Sequence, residues 1–188
     1  MPSAAVNAVV PHPSQRGLTP PAVSTGLLGI VLLASTIGLG SPSPARADVA
    51  GTVCVESGDT LYVNGHRSYG RCHGGQAVVL YGIDAPELKQ TCVHEGQAWP
   101  CGRTSARALL QMTLHHTVIC HGNSRDRDDR LIAVCHVGDV ELNRVMVEMG
   151  LAVSDGTRYA REEGQARAAH RGMWMGTFDR PADWRASH

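Results

Sequence analysis

The chain has no net charge, since 17 Lys and Arg balance 17 Asp and Glu over 188 residues. That excludes a general electrostatic pull toward nucleic acid, so any phosphate recognition must be built locally. A run long enough to span a bilayer is also missing. The main apolar stretch, residues 26–40 (GLLGIVLLASTIGLG), has 15 residues, short of the roughly 20 a membrane helix requires. No internal repeat is present, and no cysteine precedes Cys54, which argues against a lipid anchor near the apolar stretch.

What flanks that stretch points to export. Arg16 lies upstream, Pro42 and Pro44 lie downstream, and Ala45-Arg46-Ala47 offers an A-x-A site. This is the pattern of a signal peptide over residues 1–47, with cleavage expected after Ala47. The remaining residues, 48–188, suit one domain without a membrane span, secreted or periplasmic and expected to be monomeric. Without Arg16 and Arg46 it carries 15 basic and 17 acidic residues.

All six cysteines, at 54, 72, 92, 101, 120 and 135, fall in this domain. An even count behind a signal peptide favours disulfides. Short loops favour the pairs 54–72, 92–101 and 120–135, worth roughly 2–4 kcal/mol each. The Cys-His pairs at 72, 120 and 135 invite a zinc reading, but neighbours on a strand face opposite sides and rarely share a metal.

Val-, Ile- and Leu-rich stretches bounded by turn residues predict strands over 51–56, 60–63, 76–83, 117–121 and 131–137. Gly58-Asp59 suits a hairpin turn between the first two. Apolar periodicity predicts helices over 104–114, behind Thr104 or Ser105 as N-cap, over 141–149, ended by Gly150, and over 159–171. Trp174, Phe178 and Trp184 are available to clamp the last helix. The order suits an α+β barrel with helices to one side.

Two carboxylates stand at element ends, Asp59 in the first hairpin and Asp84 where the third strand leaves the core. Carboxylates with a backbone carbonyl suit a hard cation such as Ca²⁺. Pro86 stiffens the turn, so that Glu87 is held where a carboxylate would polarise or deprotonate a water. Taken alone, Asp-x-Pro-Glu is more often a turn than a site.

Its company changes that balance. Ser57-Gly58-Asp59-Thr60, Leu80-Tyr81-Gly82-Ile83-Asp84-Ala85-Pro86-Glu87, Cys101-Gly102-Arg103, Asp126-Arg127-x-x-Arg130, Leu142-Asn143 and Gly172-Met173-Trp174 occur in this order. Together they resemble the thermonuclease (staphylococcal-nuclease-like) family across nearly all of 51–185. The resemblance implies a five-stranded OB-fold barrel with three helices and Ca²⁺-dependent hydrolysis of DNA and RNA. It implies Asp59, Asp84 and the carbonyl of Ala85 as calcium ligands, Glu87 as the group activating water, and Arg130 as the phosphate clamp.

Three departures fall on the substrate side. The family's second phosphate-binding arginine is replaced by Val79, its Tyr-Gly before Arg130 by Asp128-Asp129, and a later tyrosine is lost where the chain reads Ser154-Asp155-Gly156. Losing one preorganised donor costs roughly 10²–10³ in rate. Arg67 or Arg71, on a loop tied near strand one by Cys54–Cys72, are candidates to fill the gap. The expectation is an exported nuclease-like phosphodiesterase acting on nucleic acid or a nucleotide, its activity weakened by Val79. The alternative is an impaired OB-fold binding domain of the cell envelope, linked to exopolysaccharide synthesis. A purely structural, disulfide-stapled domain explains least.

Overall fold

An apolar alternation opens the fold. Strand β1 (Ala47–Gly51) is followed at once by β2 (Val53–Val55), and the turn at 56–59 returns the chain along β3 (Thr60–Val63). Val55, Leu61 and Val63 face the core. The expected single strand over 51–56 breaks at Thr52 because its two halves serve different partners: β1 pairs with a strand far along the chain, and β2 with β3. The structure is a computed structural model that describes residues 47–188, which lie within one compact unit. The signal-peptide reading falls on residues outside these, apart from Ala47 at its expected end.

The presumed loop after β3 forms a small hairpin, β4 (His66–Ser68) and β5 (Arg71–His73), bound to β2 through Cys54–Cys72. Next comes β6 (Gln76–Leu80). The expected strand over 76–83 is interrupted at Gly82, whose φ of 75° turns the chain before β7 (Ile83–Asp84). A second hairpin, β8 (Cys92–His94) with β9 (Gln97–Trp99), precedes helix α1 (Cys101–Thr113). Helix α1 starts before the predicted Thr104 or Ser105 cap. The Cys92–Cys101 disulfide fixes its first residue, and Gly102 lies so close to the Glu87 carbonyl that a Cβ would sit 1.7 Å from that oxygen. Ser105 is buried inside the helix instead and donates to Leu151 O at 2.7 Å.

The long pair β10 (Val118–Arg125) and β11 (Leu131–Val137) carries the third disulfide, Cys120–Cys135. After β12 (Val140–Glu141) come α2 (Leu142–Glu148), β13 (Val153–Ser154), α3 (Ala160–Ala168), a 3₁₀ turn (Gly172–Met175) and α4 (Pro181–Ser187). The main sheet runs β1-β10-β11-β6-β3-β2, with β12 added on β11. Only its β11–β6 junction is parallel. The class is α+β, as expected, with a curled sheet. Among the described residues the sheet has seven strands and there are four α-helices, against five and three expected. The additions are short or terminal: β1 at the expected cleavage boundary, two-residue β12, and α4 in a tail read as an aromatic clamp.

One core lies between the sheet (Leu61, Val78, Leu80, Leu131) and the helices α1 and α2 (Leu109, Leu142, Met146). A second gathers Cys92–Cys101, Val153 and Met173, with Trp174 and Phe178 packed against it. Those two rings meet edge to face at 4.8 Å, and Arg167 lies over Trp174 at 4.4 Å. Trp184 takes no part in that clamp; it stacks on His188 at 4.2 Å.

The parallel junction depends on a buried amide. Asn143 is fully buried, accepts from Cys135 N at 3.0 Å, and donates to Tyr81 O at 3.0 Å and Ala133 O at 3.1 Å. It thereby ties α2 to the exit of β6 and to β11. Because Asn143→Ala removes three hydrogen bonds, of whose partners Ala133 O alone keeps another donor, Tyr81 N at 2.8 Å, we expect a loss of about 2–3 kcal/mol. A lower urea midpoint at unchanged m would show it. Asn143→Asp should be no better, since a carboxylate cannot donate to two carbonyls.

Candidate active site

The hairpin turn between β2 and β3 is bolted to the β6–β7 corner through one carboxylate. Asp59 Oδ1 accepts from Ser57 Oγ at 2.7 Å and Thr60 Oγ1 at 3.0 Å, while Oδ2 accepts the Ala85 N–H at 2.9 Å. The Asp59 carbonyl takes Leu80 N at 2.8 Å. Residues 26 apart in sequence are thus fixed side by side. Gly58 permits the approach, since a Cβ there would lie 1.9 Å from Ser105 Oγ.

Asp84 ends β7 opposite Val153 of β13. The loop beyond it is held by Gln90, fully buried, whose Oε1 accepts from Glu87 N at 3.2 Å and whose Nε2 donates to Asp179 O at 2.7 Å. Glu87 is positioned by this amide and by Gly102 behind its carbonyl, leaving its side chain 38 % exposed.

Arg130 enters from the β10–β11 connection. Its Nε donates to Asp126 Oδ2 at 2.7 Å, its backbone N donates to Asp126 Oδ1 at 3.0 Å, and Asp128 stands 3.7 Å from Nη2. Partial burial pushes the Asp126 carboxyl up, but the hydrogen bonds from Arg130 and Asp128 outweigh it and hold the group below its ordinary value. Asp129 takes the left-handed conformation, φ 60°, at the position where the family pattern has glycine, a geometry Asp tolerates better than most residues.

Asp59, Asp84, Glu87 and Arg130 line one cleft of about 790 Å³, with Val79 also in its wall. Ala85 is buried between the two aspartates. Arg67 and Arg71 do not line the cleft. Arg67 donates to the carbonyls of Gly70 in its own hairpin and Val55 of β2, which holds it there, and Arg71 is exposed on β5. The arginine that is present was not foreseen. Arg185 of α4 places Nη1 at 2.8 Å from Asp84 Oδ1 and 3.0 Å from Glu87 Oε1, and Nη2 at 2.9 Å from Asp84 Oδ2. Hydrogen bonding to Asp84 is the largest influence on its pKa, and with Glu87 it raises the guanidinium's pKa despite partial burial. A sequence signal existed in Pro181, a helix-starting proline, followed four residues later by Arg185.

Five carboxylates (Glu56, Asp59, Asp84, Glu87, Asp155) face four cations (Lys89, Arg127, Arg130, Arg185) across the cleft. Asp155 therefore does add negative charge to the cleft, while Asp128 is turned toward Arg130. Among the described residues no three His, Cys, Asp or Glu side chains are grouped for a metal. Asp59 and Asp84 are hard-oxygen groups of the kind calcium takes, and in this structure both oxygens of Asp84 are held by Arg185. All six sulfurs are in disulfides, so none is available as a ligand.

The chain is similar to several known proteins. A succinoglycan biosynthesis protein of Rhizobium meliloti (strain 1021) is 31% identical over 173 residues, covering 87% of this chain and 81% of that protein. Two Oryza sativa subsp. japonica proteins named "Probable staphylococcal-like nuclease" are each 32% identical over 112 residues, or 56% of this chain. The match spans only 27% and 28% of their own lengths. The profile of the family described as staphylococcal nuclease homologue matches residues 77–176, which hold Asp84, Glu87 and Arg130. On these matches the chain belongs to the staphylococcal nuclease homologue family.

Proposed function

We propose that the chain is an exported, calcium-dependent phosphodiesterase acting on DNA, RNA or a nucleotide. One observation carries the reading: Asp59, Asp84, Glu87 and Arg130 come from three separate segments and line a single cleft. Asp59, Asp84 and the Ala85 carbonyl would hold calcium, which when bound polarises the phosphoryl group and acidifies water. Glu87 accepts the proton of the attacking water or orients it. Arg130, pre-aimed by Asp126, donates to phosphate oxygens as charge develops on them. The OB-fold barrel implied by the family supplies the curled sheet on which these segments converge. Three disulfides fit a secreted or periplasmic location. Among the described residues no helix is long and apolar enough to cross a membrane.

A second reading, an envelope binding domain tied to exopolysaccharide synthesis, draws on Val79 and Asp155 in the cleft and on the name of the Rhizobium relative. Degradation of single-stranded DNA in calcium separates the two. For the phosphodiesterase, Glu87→Gln should lower kcat by roughly 10²–10⁴ with the thermal midpoint unchanged. An inactive wild type that still binds calcium would favour the binding domain.

Asp126 provides a further check on Arg130. Its carboxyl is depressed below 3.8, so the stabilisation of this turn is complete above that value and is lost as pH falls through the lower folded value. Asp126→Asn should leave the calcium affinity intact, lower kcat by roughly tenfold through the misaimed guanidinium, and flatten the acid limb of the stability profile. Calorimetric calcium titration, turnover and unfolding measured between pH 2 and 7 would test all three.

A further inference from the structure

The geometry points to Arg185 as a substrate ligand, a phosphate-binding guanidinium delivered by the C-terminal helix to a cleft whose sheet wall is apolar at Val79. This rests on the phosphodiesterase reading above. Arg185 and Val79 line the same cleft, and the Arg185 side chain is 46 % exposed to whatever enters. Its segment lies beyond residues 77–176, the part matched by the family. This guanidinium therefore lies outside the part of the chain that the family model describes.

Donor counting shows that the group has capacity left. A guanidinium carries five N–H bonds. Two from Nη1 and one from Nη2 go to Asp84 and Glu87, leaving Nε–H and one Nη2–H for a third acceptor. An anion can thus be bound without surrendering the carboxylates, and a phosphate oxygen suits the planar fork. Charge points the same way. The charge of Arg130 is balanced by Asp126 and Asp128, so Arg185 is the cation that offsets Asp84 and Glu87 where a phosphodiester would meet them.

The placement is built rather than incidental. Pro181 is buried at the start of α4, and the preceding Asp179 carbonyl receives the Gln90 amide at 2.7 Å. The bonds from Arg185 span 101 residues of sequence to Asp84 and 98 to Glu87. Trp184, beside it on the helix, adds an aromatic surface to the same cleft, a face on which a base can stack.

The test is calorimetric binding of a nucleoside 3′,5′-bisphosphate in calcium, and of calcium alone, to the purified protein and to Arg185→Ala, Arg185→Met, Arg185→Lys and Arg185→Ala/Val79→Arg. Arg185→Ala should weaken bisphosphate binding by roughly ten- to a hundredfold without weakening calcium binding. Lys, which keeps charge but not the fork, should fall between. Arginine at 79 should recover part of the loss. The Met variant, retaining the alkyl stem, replaces Ala should that chain fail to fold. Undiminished bisphosphate binding in Arg185→Ala, or a parallel loss of calcium, overturns the inference while leaving the phosphodiesterase reading intact. A wild type that binds calcium but no bisphosphate overturns both.

Discussion

The site depends on a single short contact, the N–H of Ala85 against the Asp59 carboxylate. Nothing local could bring a hairpin turn beside the exit of a strand on the opposite side of β3. The sheet does it by pairing β3 antiparallel to β6, with Thr60 opposite Val79, and the carboxylate then fixes the last few ångströms. The same carboxylate is a candidate metal ligand, so on the proposed reading one side chain both positions the loop and serves its chemistry. Removing it would cost placement and charge together, which is why its loss alone could not separate the two.

The remaining constraints are arranged around that contact. Asn143 holds the parallel β11–β6 junction from which β7 departs, Gln90 holds the loop bearing Glu87, and the Cys92–Cys101 disulfide fixes the helix start against the same loop. Each is a buried polar or covalent device placed where an apolar core could not define direction. Hydrophobic packing gives the sheet and helices their faces, and these few directional bonds set the register between them.

Sequence reasoning reached the elements whose signals are local. Alternating Val and Leu around Gly58-Asp59 gave the first hairpin, the helix before Gly150 ended as that glycine required, and the short cysteine spacings gave all three disulfides. Asp59, Asp84, Glu87 and Arg130 were put forward because their spacings match a family pattern, and the structure brings them to one cleft. Long-range contacts were not legible. Arg67 and Arg71 were put forward on chain proximity through Cys54–Cys72, yet carbonyls of their own neighbourhood hold Arg67 away. Arg185 reaches Asp84 across nearly the whole domain, with no periodicity to announce it. Helix α1 was misplaced at its start because a disulfide and a glycine contact override the usual preference for a hydroxyl cap.

Gln90 joins two stretches that are 89 residues apart into one mechanical part. One end of its carboxamide grips the backbone of Glu87 and the other grips the residue that leads into α4. Loop and tail are therefore coupled through one side chain, and a disturbance in the segment leading into α4 is passed to the backbone of Glu87 without crossing the sheet.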